Sequence, residues 1–208
     1  MMLWLVFPIG KSILNNMDKP NKNSAQDLSN HLLIAMPGLL DPNFSQAVIY
    51  LCEHNAEGAM GLVINHPLDI PLSQIFDQFE MSYSTNIGDQ SLLSGGPVQV
   101  DRGFVLHRTS NRQWESTLPI SSDISLTASS DIISDIANEQ GPRDLIITLG
   151  YSGWGPGQLE EELASNAWLT VPADTAIVFD IPFDKKAEAA AAKIGIDFSL
   201  ISTNAGHA

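Results

Sequence analysis

The stretch "ITLGYSGWGPGQLEEELASNAW", residues 147–168, decides how this chain folds. Together with the preceding Asp144-Leu145-Ile146, it opens as a run of Ile and Leu, passes four closely spaced glycines and ends in helix formers. A short apolar run bounded by turn residues reads as a buried strand, so the segment predicts strand, corner and helix in that order. Ser152, within Gly150-Tyr151-Ser152-Gly153-Trp154, invites three readings. A hydrolase elbow needs a small residue where Trp154 stands and a histidine later in the chain, where only His207 remains. A phosphate cradle fits neither the dinucleotide nor the P-loop spacing, and Glu160, Glu161 and Glu162 would repel an anion at the helix start. The remaining expectation is that Ser152 caps the helix and that the glycines supply unusual backbone geometry.

Working outward, "HLLIAM" (31–36) predicts a strand, and "SQAVIYLCEHN" with "AMGLVIN" predicts a hairpin around Ala56-Glu57-Gly58. Leu72, Ile75, Phe76 and Phe79 recur at helical spacing. "VQVDRGFVLH" (98–107) reads as a strand pair turning at Asp101-Arg102-Gly103, and Ile124–Thr127 as a further strand. Ser130 is expected to cap a helix whose buried face carries Ile132, Ile133 and Ile136. "AIVFD" (176–180) reads as a strand, and "DKKAEAAAAKIG" as a helix ending at Gly195. Strands and helices without a regular βαβ repeat predict an α+β fold: a single domain on a mixed sheet with flanking helices, over residues 31–200. Residues 1–30 read as a flexible leader, with 1–16 an extension ahead of a start at Met17, and 201–208 as a tail.

Charge narrows the functions. Ten Lys and Arg oppose 24 Asp and Glu, for a net charge of −14, and no base occurs between Lys22 and Arg102. Nucleic-acid affinity rests on clustered cations, so a direct DNA or RNA surface is not expected. One cysteine excludes an internal disulfide and a cysteine-cluster metal site. The apolar opening lacks the length of a membrane span and the flanks of a signal peptide, so the expected setting is cytoplasmic, without a membrane.

Cys52 and His54 form the most reactive pattern. Two residues apart on a strand, they are expected to share a face, where the imidazole could generate a thiolate. The alternative is a small buried thiol beside a strand-end histidine. Ser94-Gly95-Gly96-Pro97 could form an anion-binding nest of N–H groups beside Arg102, or a plain turn. His54, His66 and His107 lack ligand spacing, so no metal or other cofactor is expected.

The blocks "LIAMPGLLDPNFSQAVIYLCEHNAEGAMGLVIN", "LLSGGPVQVDRGFVLH" and "ITLGYSGWGPGQLEEELASNAWL" occur in the order and form found in the AlgH/YqgE family of bacterial proteins, which this chain resembles over residues 31–200. The resemblance implies a bent, bifurcated sheet forming a pseudo-barrel. It marks Cys52, Glu53, His54, Asn55, Ser94 to Pro97, and Tyr151, Ser152, Gly153, Trp154, Gly155 and Gly157 as candidate surface, without assigning them roles. The family's label of transcriptional regulator comes from an association with alginate production and brings no DNA-binding motif. The expected function is a non-enzymatic regulatory or binding protein acting through a protein partner or small ligand. The opposing expectation is an enzyme or redox sensor using Cys52 and His54.

Overall fold

The computed structural model describes residues 27–198, so most of the leader and the tail lie outside it. The first described residues are already tied in: Leu28 N–H donates to His54 Nδ1, and Asn30 N–H to the Leu51 carbonyl.

Ten strands form one sheet. They are β1 (His31–Ala35), β2 (Val48–Asn55), β3 (Gly58–Val63), β4 (Pro67–Pro71), β5 (Ser91–Ser94), β6 (Val98–Arg108), β7 (Thr117–Pro119), β8 (Ile124–Thr127), β9 (Leu145–Trp154) and β10 (Trp168–Pro172). The main path runs β10-β1-β2-β3-β9-β6-β8-β7, with β4 on β5 and β5 on β9. All pairings are antiparallel except β5 with β9. The helices are α1 (Ser73–Gln78), α2 (Thr85–Gly88), α3 (Asp131–Ala137), α4 (Gln158–Ala164), α5 (Thr175–Phe179) and α6 (Lys186–Lys193).

β9, the strand that opens the quoted stretch, belongs to two leaves of the sheet at once. Its first half pairs with β6 through Gly103↔Leu149 to His107↔Leu145, and its second half with β3 through Ala59↔Trp154 to Gly61↔Ser152. Between them Gly150 takes φ 74°, a conformation that costs a side chain dearly and glycine little. That residue shifts the alternation by one. Before it, Leu145, Ile147 and Leu149 face one apolar layer and Ile146 another; after it, Tyr151 joins the layer of Ile146 while Trp154 enters a third. The sheet thus curls into a half-barrel, as the resemblance implies.

The middle layer fills the concave side. Leu32, Ile34, Tyr50, Leu62, Leu106 and Leu126 meet Ile177 and Val178 of α5 and Ala190 and Ala191 of α6, so the last two helices plug the half-barrel. Each such aliphatic side chain contributes roughly 1.5–3 kcal/mol on burial. The outer layers are covered by α1 and α3 on one leaf, through Ile75, Phe76, Ile132 and Ile136, and by α4 on the other, through Leu159.

Four local expectations are corrected. Residues 98–108 form one strand, not a pair turning at Asp101-Arg102-Gly103; an irregularity between Val98 and Gly103 absorbs the extra residues while both ends stay on β9. "AIVFD" is the helix α5, because the Asp174 carboxylate accepts from Ala176 N–H and starts a helical turn despite the β-branched residues. Ser130 stands at the cap of α3 but makes no capping bond; Asp131 Oδ1 accepts from its own neighbour Ile132 N–H instead. "WLTVP", at the end of the supposed helix and beyond, is β10, paired with β1.

Candidate functional site

Cys52 and His54 do not share a face. The register of β2 on β3 shifts between Leu51 and Glu53, and this bulge inverts the alternation. Cys52 lies in the middle layer with Tyr50, its thiol directed at the Tyr50 carbonyl, and burial pushes its pKa well above the ordinary thiol range. His54 turns to the other side. Its Nδ1 accepts from Leu28 N–H, which places the proton on Nε2, 3.0 Å from Glu160 Oε1. Glu53 and Asn55 serve the hairpin: Asn55 donates to Glu53 Oε1 and accepts from Glu57 N–H. Partial burial raises the Glu53 pKa. An activated nucleophile needs a thiolate within reach of its base, and the bulge separates the two.

The second and third blocks do converge, as backbone against backbone. Ser94 N–H donates to the His66 carbonyl and Gly95 N–H to the Leu149 carbonyl. The Gly95 carbonyl accepts from Val63 N–H and, at 3.1 Å, from the Ser152 hydroxyl. A Cβ on Gly95 would stand 2.2 Å from the Gly150 oxygen, and one on Gly96 2.4 Å from the Tyr151 oxygen. Ser152 is fully buried inside β9, so it locks the crossing of the two leaves and caps no helix. The N–H groups of Ser94 and Gly95 are spent on carbonyls, which removes the nest. Pro97 and Gly153 are exposed on either side of this closed junction. The Arg102 guanidinium lies 5.2 Å from the centre of the Phe104 ring, donates to Gln99 Oε1 and is held below its ordinary pKa by burial, against a smaller effect of Tyr151. Tyr151 packs edge-on against Phe104.

Gly155 and Gly157 lead into α4, two of whose acids, Glu160 and Glu162, are engaged by the protein itself. Glu162 Oε2 accepts both the Trp154 and Trp168 indole N–H groups, at 2.8 and 2.7 Å, and its Oε1 accepts from Gln158. Phe44 completes this aromatic cluster. Among the described residues no group of His, Cys, Asp and Glu is placed to hold a metal ion. Nor is any described helix long and apolar enough to cross a membrane.

A cavity lies apart from all of these residues, between β5 and β9. β5 and β9 pair only at Leu93↔Thr148 and Ser94↔Leu149, and they separate toward Ser91 and Leu145. In the notch lies a cavity of about 360 Å³ between the strands and α5, with Phe183 and Lys186 at the start of the last helix. Leu92, Leu93, Ile146, Ile147, Val178 and Phe179 are among its lining residues; Gln90 and Ser91 are exposed at its edge. Lys186 is the one charged side chain in the lining, and it is 1% exposed. Its Nζ donates to the Ile177 and Val178 carbonyls and faces the Phe183 ring at 5.7 Å. Burial lowers its pKa to about 8, against a smaller opposing effect of Asp180. The only trace of this in the sequence is that Lys186 falls one helical turn before buried Ala190, on the apolar side of α6.

With this geometry in view, the AlgH-like family model matches residues 32–199. A UPF0301 protein of Saccharophagus degradans is 52% identical over 87% of this chain and 89% of its own length. One from Thioalkalivibrio sulfidiphilus is 49% identical over 89% of this chain and 99% of its own. The solution structure of the AlgH protein from Pseudomonas aeruginosa superposes with a TM-score of 0.73 at 46% identity, covering 91% of this chain and all of that one. A crystal structure of a Corynebacterium diphtheriae protein, 16% identical with a TM-score of 0.67 over 94% of this chain and 99% of its own, shares the fold.

Proposed function

We propose that this chain, which belongs to the AlgH-like family, is a non-catalytic binding protein whose site is the notch between β5 and β9. The observation that carries the reading is the cavity itself. About 360 Å³ falls in the range of small-molecule sites, roughly 300–1,000 Å³, and lining residues that are mostly apolar with a few polar ones are their usual chemistry. The residues that first suggested chemistry support it by exclusion: the Cys52 thiol and His54 are apart, and the glycine blocks close a structural crossing. The reading favours a small ligand over nucleic acid, since the chain carries −14 and its bases are dispersed.

The neutral probe 1-hexanol tests the site. Titrated into the isotope-labelled full-length protein, it should shift resonances of Leu92, Leu93, Ile146 and Val178 saturably, and leave the Trp154–Trp168 cluster unmoved. Ser91→Trp, at an exposed edge of the cavity, should abolish the shifts in a folded protein. Shifts that scatter over the surface, or that persist unchanged in the Ser91 variant, would overturn the assignment.

A further inference from the structure

Buried charges in proteins are almost always paired, because an ammonium removed from water needs a counter-charge near it. Lys186 departs from this. The chain holds 24 carboxylates, yet none of the ion pairs among the described residues includes Lys186. Asp180, the acid that acts on it, is itself engaged by Arg108. The other cavity-lining side chains carry no charge. Two backbone carbonyls take two of the three ammonium protons, and apart from the Phe183 ring at 5.7 Å the third meets no acceptor among the described residues. The cavity, of about 360 Å³, therefore carries a single cationic side chain in a lining otherwise without charge.

From an ammonium in no ion pair and the aliphatic residues of the lining we infer that the ligand is a small aliphatic monocarboxylate, its carboxylate on Lys186 Nζ and its hydrocarbon body against Leu92, Leu93, Ile146 and Val178. The inference rests on the cavity being a binding site, and it adds the chemical class. A phosphate head would call for several donors where one is free, and a cationic head would meet a like charge. The lysine also holds the last turn of α5, so ligand binding and the seating of the plug helices act on the same group.

Hexanoate and 1-hexanol, matched in length and differing in the head, separate the two levels of the argument. Calorimetry on the full-length protein at pH 7 should show hexanoate binding roughly tenfold or more tighter than hexanol. Lys186→Met should erase that preference while hexanol still binds. Should that variant fail to fold, the wild type suffices. Above pH 8 its affinity for hexanoate should fall by about tenfold per pH unit while that for hexanol stays level. Binding of hexanoate at pH 8.5 should take up a proton, seen as an enthalpy that depends on the buffer. Equal affinity for both probes, with no pH dependence, would overturn the carboxylate assignment and leave the cavity reading standing. Binding of neither would overturn both.

Discussion

Glu162 is the most economical place to test the physical account, because one carboxylate oxygen serves two buried tryptophans. Trp154 ends β9 and Trp168 opens β10, so the carboxylate ties the middle of the sheet to its edge through α4. Glu162→Ala leaves both indole N–H groups without their acceptor. A hydrogen bond to a charged group contributes about 1.5–3 kcal/mol, and an unsatisfied buried donor costs about 1–3 kcal/mol. Two donors sharing one oxygen cannot each draw the full value, and Glu162 is half-exposed, so water replaces part of the loss. The expected cost is about 2–3 kcal/mol, or a Tm lower by about 5–10 °C at this chain length. Glu162→Gln keeps one oxygen but loses the charge, and should fall near the midpoint. Glu161→Ala, on the exposed face of the same helix, should stay within about 0.5 kcal/mol. Urea unfolding followed by tryptophan emission reads all three, and a cycle with Trp168→Phe isolates the shared bond. A Glu162→Ala protein as stable as the Glu161→Ala control, or a coupling energy near zero with Trp168, would refute the reasoning.

Gly95→Ala should destabilise by about 1–3 kcal/mol, since its Cβ meets the Gly150 carbonyl and the buried Thr148 side chain, neither free to move aside; denaturant midpoints check this, with Gly38→Ala, whose Cβ meets nothing, as the control. Stability should fall as pH drops below about 6.5, because burial lowers the pKa values of His107 and His66, so the unfolded chain binds the extra protons. His107 takes Thr127 Oγ1 on Nε2 and gives Nδ1–H to the Arg108 carbonyl, and His107→Gln should flatten the slope between pH 7 and 5.5; Glu53 titrates with the opposite sign. The Cys52 thiol should resist alkylation at pH 8 in the folded protein and react at the rate of an ordinary thiol in urea, an accessible fast reaction in the native state being the contrary result.

Local patterning carried much of the architecture. The hairpin of β2 and β3, the buried β9 and the Ile face of α3 follow from apolar spacing and turn residues alone. What escaped was set by contacts distant in sequence. The bulge at Cys52 is one extra residue against β3, and nothing within "YLCEHN" announces it, yet it decides whether the thiol and the imidazole meet. Residues 98–108 stay a single strand because β9 holds both ends, which outweighs the turn chemistry of Asp-Arg-Gly. α5 was legible in principle through Asp174, a capping residue that β-branched neighbours obscured. The cavity was not, because a notch arises from two strands parting, and Lys185 and Lys186 look alike until one is buried and the other exposed.

The sharing of β9 has a consequence for how the protein is born. A ribosome delivers the β2–β3 hairpin and the whole of β6 before residue 145 exists, yet each must wait for the same late strand to close its ladder. β1 waits longer still, for β10, and the concave side stays open until the final helices arrive. Such pairing between distant segments is slow and leaves strand edges uncovered meanwhile. A chain stopped short of residue 154 is therefore no smaller version of this molecule; it is a set of sticky edges, which is what holdase chaperones and proteases act upon.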